Sequence, residues 1–192
     1  MQFDILNVLR EETREEHRVL EASLPLMSPS FTIRDYIHLL QKFYGLYLPL
    51  ERKLAAGAEF QRAIGDWESR RKTPAIAADL TTLGMSPDDI SRLPIYPLLI
   101  HEPQSAASEF GTAYVLEGAT LGGQIISRHL EKQLGVTPES GGRFFSSYGD
   151  KVGSMWKRFQ KALTGQATEA NREEIVGSAK QTFSMFREWL KA

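Results

Sequence analysis

Apolar residues recur at three- and four-residue spacing along nearly the whole chain, as amphipathic helices require. From residue 4 to about 22, Ile5, Val8, Leu9, Val19 and Leu20 sit among charges and predict one amphipathic first helix. Pro25 and the "MSPS" run end it. Thr32 then opens "TIRDYIHLLQKFYGLYLPLERKL" as an N-cap, with Asp35 in the first turn. Pro49 predicts a kink in this second helix, and "LAAGAEF" ends or bends it. Residues 60–83 pattern as one or two shorter helices, with a restart at Thr73–Pro74. "SPDDISRL" reads as a short helix capped by Ser86, and "PIYPLLIHEPQ" as extended chain or loop. A long helix follows from about Ser105 to Leu134, stopped by Gly135. One more helix is predicted from about Gly142 to Leu163, and a last one from Thr168 to Lys191. No strand pattern, repeat or linker interrupts this series. The chain is therefore all-α, a single domain over residues 1–192 with roughly seven to eight helices.

The long helix contains an anomaly. "YVLEGATLGGQ" holds Gly118, Gly122 and Gly123, and Gly111 stands just upstream. Each glycine weakens a helix by about 1 kcal/mol relative to alanine, so the four together cost ~3–4 kcal/mol. On an ideal helix Gly111, Gly118 and Gly122 fall within a ~40° arc. They form one groove of bare backbone, suited either to a broad flat ligand or to a closely packed neighbouring helix. Gly122–Gly123 also offers a place to kink.

Composition sharpens this picture by exclusion. The 192 residues carry a formal net charge of −1, which gives no strong attraction to nucleic acid. The absence of cysteine removes disulfides, thiolate ligands and thiol nucleophiles. The start, "MQFDILNVLREETREEH", is too charged for a secretory signal, and no apolar run approaches a membrane span; a cytoplasmic protein is expected.

Four histidines are candidates for metal chemistry. His17 has Glu21 at i+4, where a carboxylate can accept the Nδ1–H and leave Nε2 free to ligate. Arg10 lies seven residues before His17 on the same face, able to meet an acidic group of the same ligand. A surface His–Glu pair on a charged helix is the plainer reading. His129 is the second choice of ligand, turned from the glycine face if the helix kinks. His38 and His101 are weaker, at a helix start and in a Pro-rich loop.

Taken in order, "LREETREEHRVLE", "FYGLYLPLE", "YVLEGATLGGQIISRHL" and "FFSSYGDKVGSMWKRF" resemble a bacterial biliverdin-producing haem oxygenase, most closely the type found beside phytochromes. The patterns T-x-x-x-H-x-x-x-E and EG-x-x-LGGQ carry the likeness, which covers most of the chain. It implies a single-domain haem oxygenase-like helical bundle with haem b, both substrate and cofactor, between a proximal and a glycine-rich distal helix. His17 would then be the proximal iron ligand and Glu21 its partner, with Gly118 and Gly122 against the porphyrin face. Arg10 and Lys151, and after them Arg143 and Tyr114, are the candidates for holding the propionates. Many members of that family carry an aspartate directly after the first distal glycine, where this chain has Ala119. Glu117 is turned ~200° away from Ala119 on an ideal helix and does not replace it.

The activity implied is O2-dependent opening of haem to biliverdin, CO and ferrous iron. Electrons would come from a separate ferredoxin or flavoprotein reductase, since the chain has no dinucleotide-binding motif. A phytochrome is the implied acceptor of the pigment. A haem-storage or delivery protein of the same fold is the alternative, favoured by Ala119. A thiamin-handling relative would need the missing cysteine, and a di-iron protein would need paired Glu-x-x-His motifs.

Overall fold

A computed structural model describes residues 4–98 and 105–191. Ten α-helical segments and several 3₁₀ turns make up the described residues, with no strand among them. The predicted first helix is divided in two. Helix α1 (Ile5–Glu12) is capped by the Asp4 carboxylate, and α2 (Arg14–Ser23) follows directly. Between them Thr13 leaves the helical region, and its hydroxyl donates to the Leu9 carbonyl at 2.7 Å. Backbone bonds from the Thr13 N–H to the Leu9 carbonyl and from the His17 N–H to the Thr13 carbonyl, each 3.0 Å, still span the junction.

Helix α3 (Ile33–Ala56) opens on the expected Thr32 N-cap, whose own N–H donates back to the Asp35 carboxylate. It continues through Pro49 to Ala56 before Gly57 ends it. Then come α4 (Ala58–Ile64), a 3₁₀ turn at Trp67–Arg70, α5 (Thr73–Thr82) and α6 (Pro87–Ser91), the last capped by Ser86 as predicted. Residues 94–98 are non-helical, and the remainder of the Pro-rich segment, with His101, lies outside the described residues.

The glycine-bearing helix α7 (Ala106–Leu134) is one continuous element through Gly122–Gly123, and Gly135 ends it at φ 70°. The helix predicted from 142 to 163 is broken. A four-residue α8 (Arg143–Ser146) stops at Ser147, whose φ of 47° is left-handed, and α9 (Val152–Gln166) starts after a 3₁₀ turn at Gly149–Lys151. Gly149, at φ 55°, lies inside that break. Helix α10 (Arg172–Lys191) follows the Thr168 cap and a 3₁₀ turn.

One continuous apolar core joins these elements. Its main axis is the pairing of α7 with α10. Gly111 allows it, because a Cβ there would lie 2.2 Å from the Ile175 carbonyl oxygen. Small hydroxyl residues fill the same seam: Ser178 donates to the Ser108 carbonyl at 2.6 Å and sits 3.0 Å from Thr112. Gly111→Ala should therefore destabilise the fold by about 1–3 kcal/mol through overpacking, against a helix-propensity gain of about 1 kcal/mol. Urea unfolding measures the balance; a raised midpoint would show that the seam is loose.

Candidate functional site

A cavity of about 580 Å³ opens between the N-terminal helices and α7. That volume suits a cofactor-sized ligand. Helices α1 and α2 give Arg10, Thr13, Arg14, His17, Leu20 and Glu21 to one wall. The facing wall is α7 from Tyr114 to Ile126, and the end wall is aromatic, from Phe43, Tyr47, Phe144, Phe145, Phe183 and Phe186. Phe144 lies 5.2 Å from Phe43 and 5.4 Å from Tyr47, ring centre to ring centre.

The aromatic wall is set by a carboxylate far away in sequence. Buried Asp79 on α5 accepts from the backbone N–H groups of Arg143, at 2.9 Å, and Phe144, at 2.8 Å. It thereby caps the short α8, whose few internal bonds would not hold it alone. Burial raises the Asp79 pKa, and these two bonds pull the other way.

The four glycines of α7 divide by neighbour. Gly111 and Gly123 are packing positions: a Cβ at Gly123 would stand 2.4 Å from the Phe145 carbonyl oxygen. Gly118 and Gly122 face the cavity. The nearest atom to a Cβ at Gly118 is on Trp156, at 3.9 Å, and nothing lies within 4 Å at Gly122. The single groove expected over Gly111, Gly118 and Gly122 is thus two surfaces, and Gly111 belongs to the other one.

His17 lies on the cavity with Nδ1 3.4 Å from the Glu21 carboxylate, and its ring meets Phe183 edge-on at 5.9 Å. That pairing leaves Nε2 as the nitrogen for a metal. Arg10 also lines the cavity, half-turned to solvent and bonded to Asn7 at 2.8 Å. Arg14, missed in the sequence reading, stands one turn further on the same face; its spacing of four from Arg10 was the available signal. Tyr114 is linked by a side-chain hydrogen bond to Thr13, and burial raises its pKa against that bond and the Arg10 charge.

Arg143 and Lys151 do not line the cavity. Both are exposed, on separate pieces of the helix that Ser147 breaks. His129 is outside the lining as well, with its Nε2 buried and unpartnered among the described residues. His38 borders a separate, smaller recess.

Behind α7 lies a buried ionic cluster that no local pattern announces. Glu117 accepts from Arg70 and, at 2.7 Å, from the Tyr148 hydroxyl; its carboxylate is 3.5 Å from the Lys72 ammonium. Arg70 also binds the Asp66 carboxylate. Lys72 is the member of this cluster that reaches the cavity wall. Ala119, also on that wall, brings no polar group.

Residues 4–192 match the family model described as Heme oxygenase. A protein named Heme oxygenase from Xanthomonas campestris pv. campestris (strain 8004) is 30% identical over 163 residues, covering 81% of this chain and 93% of that protein. Among solved structures, the heme oxygenase of Leptospira interrogans superposes with a TM-score of 0.81 at 21% identity, over 97% of this chain and 98% of that one. The heme complex of heme oxygenase-1 from Synechocystis sp. PCC6803 gives 0.79 at 16% identity, over 98% and 91%.

Proposed function

The chain belongs to the heme oxygenase family, and on that premise we propose that it opens haem oxidatively to biliverdin, CO and ferrous iron. The observation that carries this reading is the cavity between His17 and the bare backbone of Gly118 and Gly122. Side chains at those two positions would occupy the space where a flat ligand fits. The donor set agrees: one imidazole with a carboxylate on its Nδ1 suits a single iron.

Bound haem supplies both the iron at which O2 is activated and the ring that is opened. The protein's own work is positional. His17 would hold the iron through Nε2, with Glu21 beside Nδ1 to orient the ring. The Gly118–Gly122 backbone sets how closely the distal helix approaches the ring. Arg10 and Arg14, at the cavity mouth, meet the acidic edge of the ligand by charge-assisted hydrogen bonds and limit its rotation. Tyr114, tied to Thr13, joins the α7 wall to that basic edge. The apolar and aromatic end wall keeps bulk water from the reacting face.

Electrons come from an external ferredoxin or flavoprotein reductase in the cytoplasm, and a biliverdin-binding phytochrome is the acceptor suggested by the sequence likeness. No helix of the described residues is long and apolar enough to cross a membrane. Single-turnover oxidation of the haem complex with a ferredoxin-type donor tests the proposal. Biliverdin, identified chromatographically, and released CO are expected. An intact ring after oxidant and electrons have been consumed would instead favour the storage reading that Ala119 invites.

A further inference from the structure

The side of the cavity formed by α7 carries one cationic group that the reading above leaves unused. Lys72 is only 5% exposed, at the N-terminal edge of α5. Its backbone is pinned by the Glu51 carboxylate, which accepts from the N–H groups of Lys72 and Thr73. Its side chain is stretched over the Tyr148 ring, with Nζ 3.7 Å from the ring centre. A lysine ammonium has three hydrogens to donate. One makes a short bond to the Arg70 carbonyl, at 2.6 Å. The Glu117 carboxylate stands 3.5 Å away, and the third direction meets the Tyr148 ring face. A buried, fixed cation therefore borders the cavity.

Resting on the haem-binding reading, we propose that Lys72 is a positioning residue: its ammonium supplies the positive charge on the glycine-helix side, where Ala119 offers none. Glu117 holds the ammonium in place, and Arg70 and the Tyr148 hydroxyl hold Glu117. The partner here is a small polar or anionic ligand on the iron, or the water that serves it. In a cavity with apolar walls, one fixed charge acts more strongly than it would in water.

Burial lowers the Lys72 pKa to about 8, against the charges of Glu117 and Glu51. The groups facing it are Glu117 on α7, Glu51 on α3, Arg70 in the preceding turn and Tyr148 before α9. Below about pH 8 the charge is present, and above it the charge is lost.

Two probes on the haem complex test the assignment without turnover. The first is fluoride binding to ferric haem. Lys72→Met should weaken it about ten-fold through loss of the nearby charge. The second is the C–O stretch of the ferrous CO complex. A nearby positive charge favours back-donation and lowers that frequency, so Lys72→Met should raise it. In the wild type the stretch should rise with pH around a midpoint of about 8. The wild-type titration decides the matter even where the variant fails to fold. Unchanged fluoride affinity in a folded variant, or a wild-type stretch constant across this pH range, overturns the assignment. A normal histidine-ligated Soret band beside an unresponsive stretch sinks Lys72 alone. Failure of the wild type to bind haem sinks the haem reading as well.

Discussion

The His17→Ala variant loses the histidine-ligated haem spectrum and binds haem at least about 100-fold more weakly. Even the hydrogen-bonding partners of metal ligands act on a scale of about 10–100-fold, and here the ligand itself is removed. The protein should otherwise be unharmed. Helix α2 buries none of its residues, and the His17 side chain is 55% exposed. Truncation there costs a few tenths of a kcal/mol, the usual range for exposed positions. Circular dichroism should be unchanged, and added imidazole should restore part of the absorption band. Retention of the wild-type Soret position and affinity would show that the iron is held elsewhere, with His129 the next residue to replace.

Gly118→Leu separates ligand from scaffold in the opposite way. A Cβ at Gly118 makes an ordinary 3.9 Å contact with Trp156, so the backbone accepts it. The rest of the leucine side chain projects into the cavity where haem would lie. Haem affinity or turnover should fall by at least about ten-fold, since the wall cannot yield without moving α7. The haem-free protein should hold its thermal midpoint or gain, because leucine recovers most of the ~1 kcal/mol glycine penalty. The contrast with Gly111→Ala is diagnostic, because there stability falls. Unimpaired turnover in Gly118→Leu would make Gly118 a packing glycine like Gly111.

The two glycines also show how far the sequence could be read. Periodicity correctly put Gly111, Gly118 and Gly122 on one helix face. It could not say that α10 covers that face at Gly111 and that the cavity begins two turns later. The caps at Thr32, Ser86 and Gly135 were legible because each is a local bond or a local φ. The breaks at Thr13 and Ser147 were not. The first carries no glycine or proline, and the second turns on a serine at positive φ two residues before the one local signal, Gly149. Arg143 and Lys151 were candidates by family likeness alone, and they lie off the cavity on either side of that break. His17 and Glu21 could be found because their spacing is set within one helix, and Arg10 because it lies close to them in sequence, one helix earlier. The Lys72–Glu117–Tyr148 group could not, since its members come from three elements that only tertiary packing joins.

That assembly has a temporal consequence. The cavity takes His17 from α2, near the start of the chain, and closes with Phe183 and Phe186 from α10. The imidazole is braced by Phe183, and α10 is seated along α7 at Gly111 and against α1, α2 and α3. A chain leaves the ribosome N-terminus first. The prospective ligand thus emerges well before the ring that supports it, and no nascent chain that stops short of Leu190 presents the whole lining. A site built on this cavity is complete only in a molecule whose last helix has docked.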